Sequence, residues 1–108
     1  MNMLNIFSYR EINEGVEDFR STSGAVLLDV RTKSEYADGH IEGSYNLPLN
    51  EIYTVGDMIP DKNTPLFVHC YSGVRSARAV SYLKGNGYKT VLDLGGISSY
   101  SGRIVSGQ

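Results

Sequence analysis

The chain has 108 residues, of which 41% are hydrophobic and 20% are charged. This composition is typical of a globular protein rather than a disordered one, and the length predicts a single domain that spans residues 1–108. The net charge of −2 comes from acidic and basic residues mixed along the sequence, which excludes a basic stripe and with it a nucleic-acid partner.

Cysteine usage and hydropathy indicate the cellular compartment in which the protein is expected. Cys70 is the one cysteine of the chain, so an internal disulfide cannot form and a reducing compartment is expected. No apolar run approaches the length needed to span a membrane. The first eight residues lack the basic flank and long apolar stretch of a signal peptide. We therefore expect a cytoplasmic protein with no membrane partner.

The first predicted elements are a helix and a strand. Ser8 and Glu11 have the spacing of a capping box, and apolar residues then recur at helical spacing to about residue 20. Residues 25–30 form a short apolar run rich in β-forming residues. Such a run favours a strand that is covered on both faces, as in a parallel sheet.

A second helix and a second strand follow. Thr32 and Glu35 repeat the capping-box spacing, and Gly39 provides a stop, which predicts a short helix between these residues. Residues 44–47 predict another short strand, closed by Pro48.

The rest of the chain continues the alternation. Asn50 is a candidate cap for a helix that ends at Pro60. Residues 66–69 and 90–94 predict two further strands, with a helix over residues 76–84 between them. This succession predicts an α/β domain with a mainly parallel sheet and helices on both faces, whose chemistry gathers at the carboxyl ends of the strands.

Residues 70–76 read Cys-Tyr-Ser-Gly-Val-Arg-Ser and join a predicted strand to a predicted helix. Four residues separate Cys70 from Arg75, so the loop from cysteine to arginine has six members. Gly73 permits a backbone in which successive N–H groups converge, and Arg75 adds a positive charge. Both features favour a thiolate and an anion attached to it. The loop therefore indicates a cysteine nucleophile in an anion-binding cradle, which suits sulfur transfer or phosphoryl transfer.

Two stretches of the sequence resemble the signatures of the rhodanese family. The first signature is carried by Asp29-Val30-Arg31-x-x-x-Glu35-Tyr36-x-x-Gly39-His40-Ile41-x-Gly43-Ser44-x-Asn46-x-Pro48. The second is carried by Cys70-x-x-Gly73-x-Arg75-Ser76-x-x-Ala79, followed by Gly87-Tyr88 and Leu94-x-Gly96. Together they cover nearly the whole chain.

The resemblance implies a rhodanese-like α/β fold with a five-stranded, mainly parallel sheet, and a sulfurtransferase activity. Cys70 would carry sulfane sulfur as a persulfide, taken from a small-molecule donor such as thiosulfate and passed to cyanide, a thiol or a protein acceptor. Asp29 and Arg31 would support the loop, and no metal or organic cofactor is implied. The persulfide would be bound by the loop residues Tyr71, Ser72, Gly73, Val74 and Arg75.

Two other functions stay open at this point. One is a cysteine-dependent phosphatase or arsenate reductase. The segment His69-Cys70 with Arg75-Ser76 resembles that of tyrosine phosphatases, but those enzymes place five residues between cysteine and arginine, and the shorter loop favours sulfur transfer. The other alternative is a persulfide carrier or regulatory module that acts with a protein partner through the same residues.

Three further expectations concern neighbouring side chains. His69 and Cys70 are adjacent on a strand and face opposite ways, so a direct ion pair between them is not expected. Two histidines and one cysteine lack the spacing of metal ligands. Arg31 and Glu35 have the i, i+4 spacing of a helical ion pair, which is the alternative to a supporting role for Arg31.

Overall fold

The computed structural model describes residues 8–107. Its main sheet has four parallel strands in the order β3-β1-β4-β5. A second, two-stranded sheet pairs β2 with β6 in antiparallel orientation. The strands are β1 (Val26–Asp29), β2 (His40–Ile41), β3 (Ser44–Asn46), β4 (Leu66–Cys70), β5 (Val91–Gly96) and β6 (Ile104–Val105).

Helices connect the strands and cover the sheet. The α-helices are α1 (Ile12–Arg20), α2 (Lys33–Asp38), α3 (Val55–Met58) and α4 (Val74–Gly85). Two short 3-10 helices span Leu49–Thr54 and Ile97–Ser99. None of the described helices has the length and apolar character needed to cross a membrane.

The two faces of the sheet are buried by different helices, which confirms the predicted α/β class. Leu27 and Phe67 pack in a cluster with Ile12 and Val16 of α1. The next residues along the strands, Leu28 and Val68, pack in a second cluster with Ala79, Val80 and Leu83 of α4. Because successive strand residues point to opposite faces, strands covered on both sides must be apolar throughout, and β4 is buried at every position.

Within residues 8–107, the fifth strand of the expected sheet is represented by a single bridge. Tyr9 pairs with Asp93 in parallel orientation beside β5. The Asp93 N–H donates to the carbonyl of Ser8 at 2.7 Å, and the Arg10 N–H donates to the carbonyl of Asp93 at 2.8 Å. The prediction that Ser8 caps the first helix is therefore wrong. Residues 8–10 are used in sheet pairing, and Glu11 caps α1 by accepting the N–H of Glu14.

Of the other two predicted helix caps, one is confirmed and one is wrong. Thr32 and Glu35 form the full capping box of α2, with the Glu35 N–H donating to Thr32 Oγ1 at 3.2 Å and the Thr32 N–H donating to Glu35 Oε1 at 2.9 Å. Asn50 instead lies inside the 3-10 helix that begins after Pro48. The Glu51 N–H donates to the Pro48 carbonyl at 2.8 Å, so the turn closes three residues apart and leaves Asn50 no capping position.

Strand register brings the candidate site residues to one edge. Asp29 at the end of β1 lies opposite His69 of β4, and Cys70 at the end of β4 lies opposite Gly96 of β5. All these residues are at the carboxyl ends of parallel strands. This is the edge at which ligands bind in open α/β sheets.

Candidate active site

Cys70 is the last residue of β4, and its side chain is buried. The loop turns at Gly73, whose φ of 106° lies in the left-handed region that favours glycine. That conformation directs the Gly73 N–H at the thiol, with nitrogen and sulfur 3.0 Å apart. The sulfur thus meets a backbone donor in the same loop.

Helix α4 begins at the residue after Gly73 and presents further backbone donors. The first backbone carbonyl bond that enters the helix is donated by the Ala77 N–H to the Gly73 carbonyl at 3.2 Å. The three amides before it, of residues 74–76, belong to the first turn, where an α-helix has no acceptors of its own. Together with the positive end of the helix dipole they make the loop suitable for an anion.

Arg75 forms a two-pronged ion pair with Glu35 of α2. Its Nη1 and Nη2 atoms lie 2.7 and 3.1 Å from the two carboxylate oxygens, and each side chain is 33% exposed. The hydrogen bonds from Arg75 are the main reason that the pKa of Glu35 falls to about 2. The same bonds, with smaller contributions from the charges of Glu35, Cys70 and Asp29, raise the pKa of Arg75. The guanidinium therefore ties the cysteine loop to α2 and lies within electrostatic range of Cys70.

The inner side of the loop is held by Ser76 and Asp93. The buried hydroxyl of Ser76 donates to Asp93 Oδ1 at 2.8 Å, and the Gly95 N–H donates to the same oxygen at 2.9 Å. Asp93 was not a candidate in the sequence, because its role depends on a contact with a residue in another element. The signal available in the sequence is the Gly95-Gly96 pair, which begins two residues after Asp93.

Gly96 and the 3-10 helix after it support the loop from behind. A Cβ atom at Gly96 would overlap the carbonyl of Tyr71 and the Cα of Ser72. The Ser98 N–H donates to the same Tyr71 carbonyl at 3.1 Å. The close approach of the two backbones requires glycine at this position.

Asp29 and Arg31 form a buried ion pair next to the loop. Arg31 Nε lies 3.0 Å from both carboxylate oxygens of Asp29, and its Nη2 lies 2.7 Å from Oδ2. The same Nη2 donates to the Gly39 carbonyl at the end of α2, at 2.7 Å. The alternative pairing of Arg31 with Glu35 is wrong, because Arg31 is turned inward to Asp29 and Glu35 is taken by Arg75.

His69 joins this buried group. Its side chain is fully buried, with Nδ1 3.1 Å from the carbonyl oxygen of Cys70 and Nε2 3.7 Å from Asp29 Oδ2. Within the described part of the chain, Nε2 has no hydrogen-bond partner. Burial lowers the pKa of His69, and the negative charge of Asp29 opposes that shift only in part. His69 thus touches the backbone of Cys70.

The remaining loop residues face solvent. Tyr71 is 53% exposed, Val74 is 66% exposed, and Ser72 is also exposed. They form the outer rim of the loop around Cys70. Among residues 8–107, no three His, Cys, Asp or Glu side chains come together as a metal site would require.

A pocket opens on the side of the loop that carries Arg75. It has a volume of about 310 Å³ and is lined by Val30, Thr32, Leu49, Asn50 and Arg75. Val30 and Cys70 belong to the same buried cluster, and the Val30 N–H donates to the carbonyl of His69, the residue before Cys70, at 3.0 Å.

Comparison with known proteins supports the same fold and family. The model of the rhodanese-like domain matches residues 11–103. Thiosulfate sulfurtransferase GlpE from Ectopseudomonas mendocina is 39% identical over 82 residues, which cover 74% of this chain and 72% of that protein. Thiosulfate sulfurtransferase PspE from Escherichia coli is 33% identical over 81 residues, which cover 74% of this chain and 78% of that protein. Two longer curated proteins also match, and the chain spans only 23% and 32% of their lengths.

A solved structure described as a rhodanese with anions from E. coli superposes with a TM-score of 0.71 at 32% sequence identity, covering 77% of this chain and 99% of that one. The family model runs from Glu11, the N-cap of helix α1, to the residue before β6, and so covers the main sheet and the cysteine loop. The chain therefore belongs to the rhodanese-like domain family of sulfurtransferases.

Proposed function

We propose that this protein moves sulfane sulfur from a small-molecule donor such as thiosulfate to a thiophilic acceptor through a persulfide on Cys70. The observation that carries the proposal is the contact of 3.0 Å between the Gly73 N–H and the Cys70 sulfur, beside the open first turn of α4. These donors stabilise a thiolate before transfer and a persulfide anion after it. The names of GlpE and PspE, both thiosulfate sulfurtransferases, agree with this chemistry.

The proposed cycle has two displacements at sulfur. In the first, the Cys70 thiolate attacks the outer sulfur of thiosulfate. The S–S bond of thiosulfate breaks, sulfite leaves with the electron pair, and Cys70 holds the persulfide anion. In the second, cyanide or a thiolate attacks the outer persulfide sulfur, and the electron pair of that S–S bond returns to Cys70 as thiolate. Neither step needs a metal or an external oxidant.

The test is the intact mass of the reduced protein after incubation with excess thiosulfate or with inorganic polysulfide. We expect a gain of one sulfur atom that is lost on adding cyanide and is absent in Cys70→Ser. Circular dichroism would check that the variant is folded. An adduct that persists in Cys70→Ser, or no adduct with either donor, would contradict the proposal.

A phosphatase or arsenate reductase is less well supported. The loop from Cys70 to Arg75 has six members, one fewer than the phosphate loops it resembles. Arg75 is turned to Glu35. A phosphate dianion would have to compete with that carboxylate for the guanidinium.

Transfer to a protein acceptor is a second candidate, favoured by the exposed rim of the loop. Tyr71 and Val74 stand out beside Cys70, and aromatic and apolar rim residues suit a docked partner. An enzyme for small acceptors would turn over with thiosulfate and cyanide. A carrier would form the persulfide yet release it slowly to cyanide. We also propose a cytoplasmic location, because a chain with one cysteine lacks the disulfides typical of small secreted domains.

A further inference from the structure

The pocket on the Arg75 side of the cysteine loop carries little net charge. Four of its lining residues, Val30, Thr32, Leu49 and Asn50, are uncharged. Within the part of the chain that the structure describes, Arg75 is the one charged side chain that lines the pocket. A volume of about 310 Å³ is at the small end of the range for ligand pockets.

The positive charge of Arg75 is already compensated. Both terminal nitrogens contact the carboxylate of Glu35, at 2.7 and 3.1 Å. Arg31, the next cation along this edge, is turned away to Asp29 at 2.7 Å, and its side chain is only 7% exposed. An anion that entered the pocket would thus meet a neutral ion pair whose carboxylate repels it.

We infer that the pocket takes a thiol that carries no charge beyond its reacting sulfur, and that Glu35 sets this preference by neutralising Arg75. The inference rests on the proposed function and specifies its acceptor. A dianion such as thiosulfate gains from the loop amides, but Arg75, the one cation among the described lining residues, is already paired with Glu35. The binding of an uncharged thiol does not depend on a free positive charge. The ion pair therefore lowers the affinity of the pocket for anionic thiols without lowering its affinity for uncharged ones.

The transfer to such an acceptor balances without a further reactant. The acceptor thiol, RSH, gives its proton to the Cys70 persulfide anion, and the resulting thiolate, RS⁻, attacks the outer sulfur of the persulfide. A new S–S bond forms in RSSH, the bond between the two persulfide sulfurs breaks, and its electron pair stays on Cys70 as thiolate. The proton of the persulfide leaves with the product.

The capping box allows the charge of Glu35 to be removed without removing its structural bond. Glu35 Oε1 accepts the Thr32 N–H at 2.9 Å, and glutamine at this capping-box position accepts the same bond. Glu35→Gln therefore keeps the start of α2 and releases Arg75. Asp38→Asn is the matched control, since it removes one negative charge from an exposed residue of the same helix.

The experiment measures sulfur transfer from protein loaded with persulfide to mercaptoethanol and to mercaptoethanesulfonate, which differ by one negative charge. The readout is the ratio of the two second-order rate constants, compared between variants so that the intrinsic reactivity of each thiol cancels. We expect wild type to favour mercaptoethanol. Glu35→Gln should shift the ratio towards the sulfonate by about fivefold, the size typical of a partly exposed charge pair.

The controls decide whether the effect passes through Arg75. Asp38→Asn should leave the ratio within about twofold of wild type, since exposed charges at a distance are screened by salt. The double variant Glu35→Gln/Arg75→Gln should return the ratio close to wild type, because no free cation remains.

An unchanged ratio in Glu35→Gln, an equal shift in Asp38→Asn, or a wild type that prefers the sulfonate would each overturn the inference. Failure of the proposed function has a different signature, because no persulfide would load onto Cys70 in any variant.

Discussion

The two ion pairs at the carboxyl edge of the sheet differ in how far water reaches them. Asp29 and Arg31 are almost completely enclosed, with side chains 0% and 7% exposed, whereas Glu35 and Arg75 are each 33% exposed. Both pairs have two or more short contacts between guanidinium and carboxylate. Burial decides what each pair contributes, because charges removed from water depend wholly on their partners while charges in water do not.

The buried pair stabilises the arrangement of the strand ends around the site, whereas the half-exposed pair lies where substrates would bind. Asp29 also lies near His69, which contacts the Cys70 carbonyl, so the buried group connects the ends of β1 and β4 and the turn after α2. Arg75, by contrast, lines the open pocket. A change in the first group should affect folding, and a change in the second should affect which substrates react.

The largest effect is expected from Asp29→Asn. The substitution keeps the shape of the side chain but leaves the Arg31 guanidinium buried without its counter-charge. We expect the free energy of unfolding, measured with a chemical denaturant, to fall by about 3–5 kcal/mol. Asp38→Asn makes the same change of charge at an exposed position and should fall within about 0.5 kcal/mol of wild type. A loss below about 1 kcal/mol in Asp29→Asn would remove the contrast between the pairs.

An intermediate effect is expected from His69 in acid. Because burial lowers the pKa of His69 in the folded state, the unfolded chain binds a proton that the native protein does not. Stability is then lost as the pH falls below the unfolded pKa of about 6.5, by at most about 1.4 kcal/mol per pH unit. The groups that act on the protonation of the ring are Asp29, Arg31 and the Cys70 carbonyl, and the neutral variant His69→Gln leaves all three in the chain.

The measurement for His69 is the denaturant midpoint between pH 7 and pH 5. Wild type should lose stability over this window, and His69→Gln should lose less, although the variant starts from a lower value at pH 7 because its packing differs. Parallel curves for the two proteins would mean that His69 takes up its proton equally well in the native state. Burial would then not lower the pKa of His69 in the folded state.

Local signals in the sequence predict local structure at this edge of the sheet. They fail where a residue pairs with a partner that is distant in the sequence. The Thr32–Glu35 capping box was predictable, because both residues lie in one turn. The second partner of Glu35 is Arg75, 40 residues away, and i, i+4 spacing pointed instead to Arg31. Spacing along a helix cannot reveal that Arg31 has a buried carboxylate within two residues on the preceding strand.

The same limit explains the other differences. Ser8 has the spacing of a helix cap, but the edge of β5 offers backbone partners to residues 8–10, and sheet pairing prevails over a single capping bond. Asp93 has no local pattern that links it to Ser76. The cysteine loop was predictable because its cradle is built from neighbouring residues, with Gly73 providing the turn.

The smallest effect is expected from the acid titration of the half-exposed pair. The Arg75 hydrogen bonds lower the pKa of Glu35 from its ordinary 4.5 to about 2, so the native state releases this proton more readily than the unfolded chain does. The pair therefore stabilises the fold above pH 4.5, and that contribution is lost as the pH falls towards 2. Since water and salt screen both side chains, we expect at most about 1 kcal/mol. The unfolding free energies of wild type and Glu35→Gln should differ by this amount at pH 6 and converge only as the pH falls to about 2, with Asp38→Asn following wild type throughout. A difference that persists unchanged at low pH would mean that Glu35 acts through its capping bond to Thr32, which glutamine was expected to preserve, and not through the charge of Arg75.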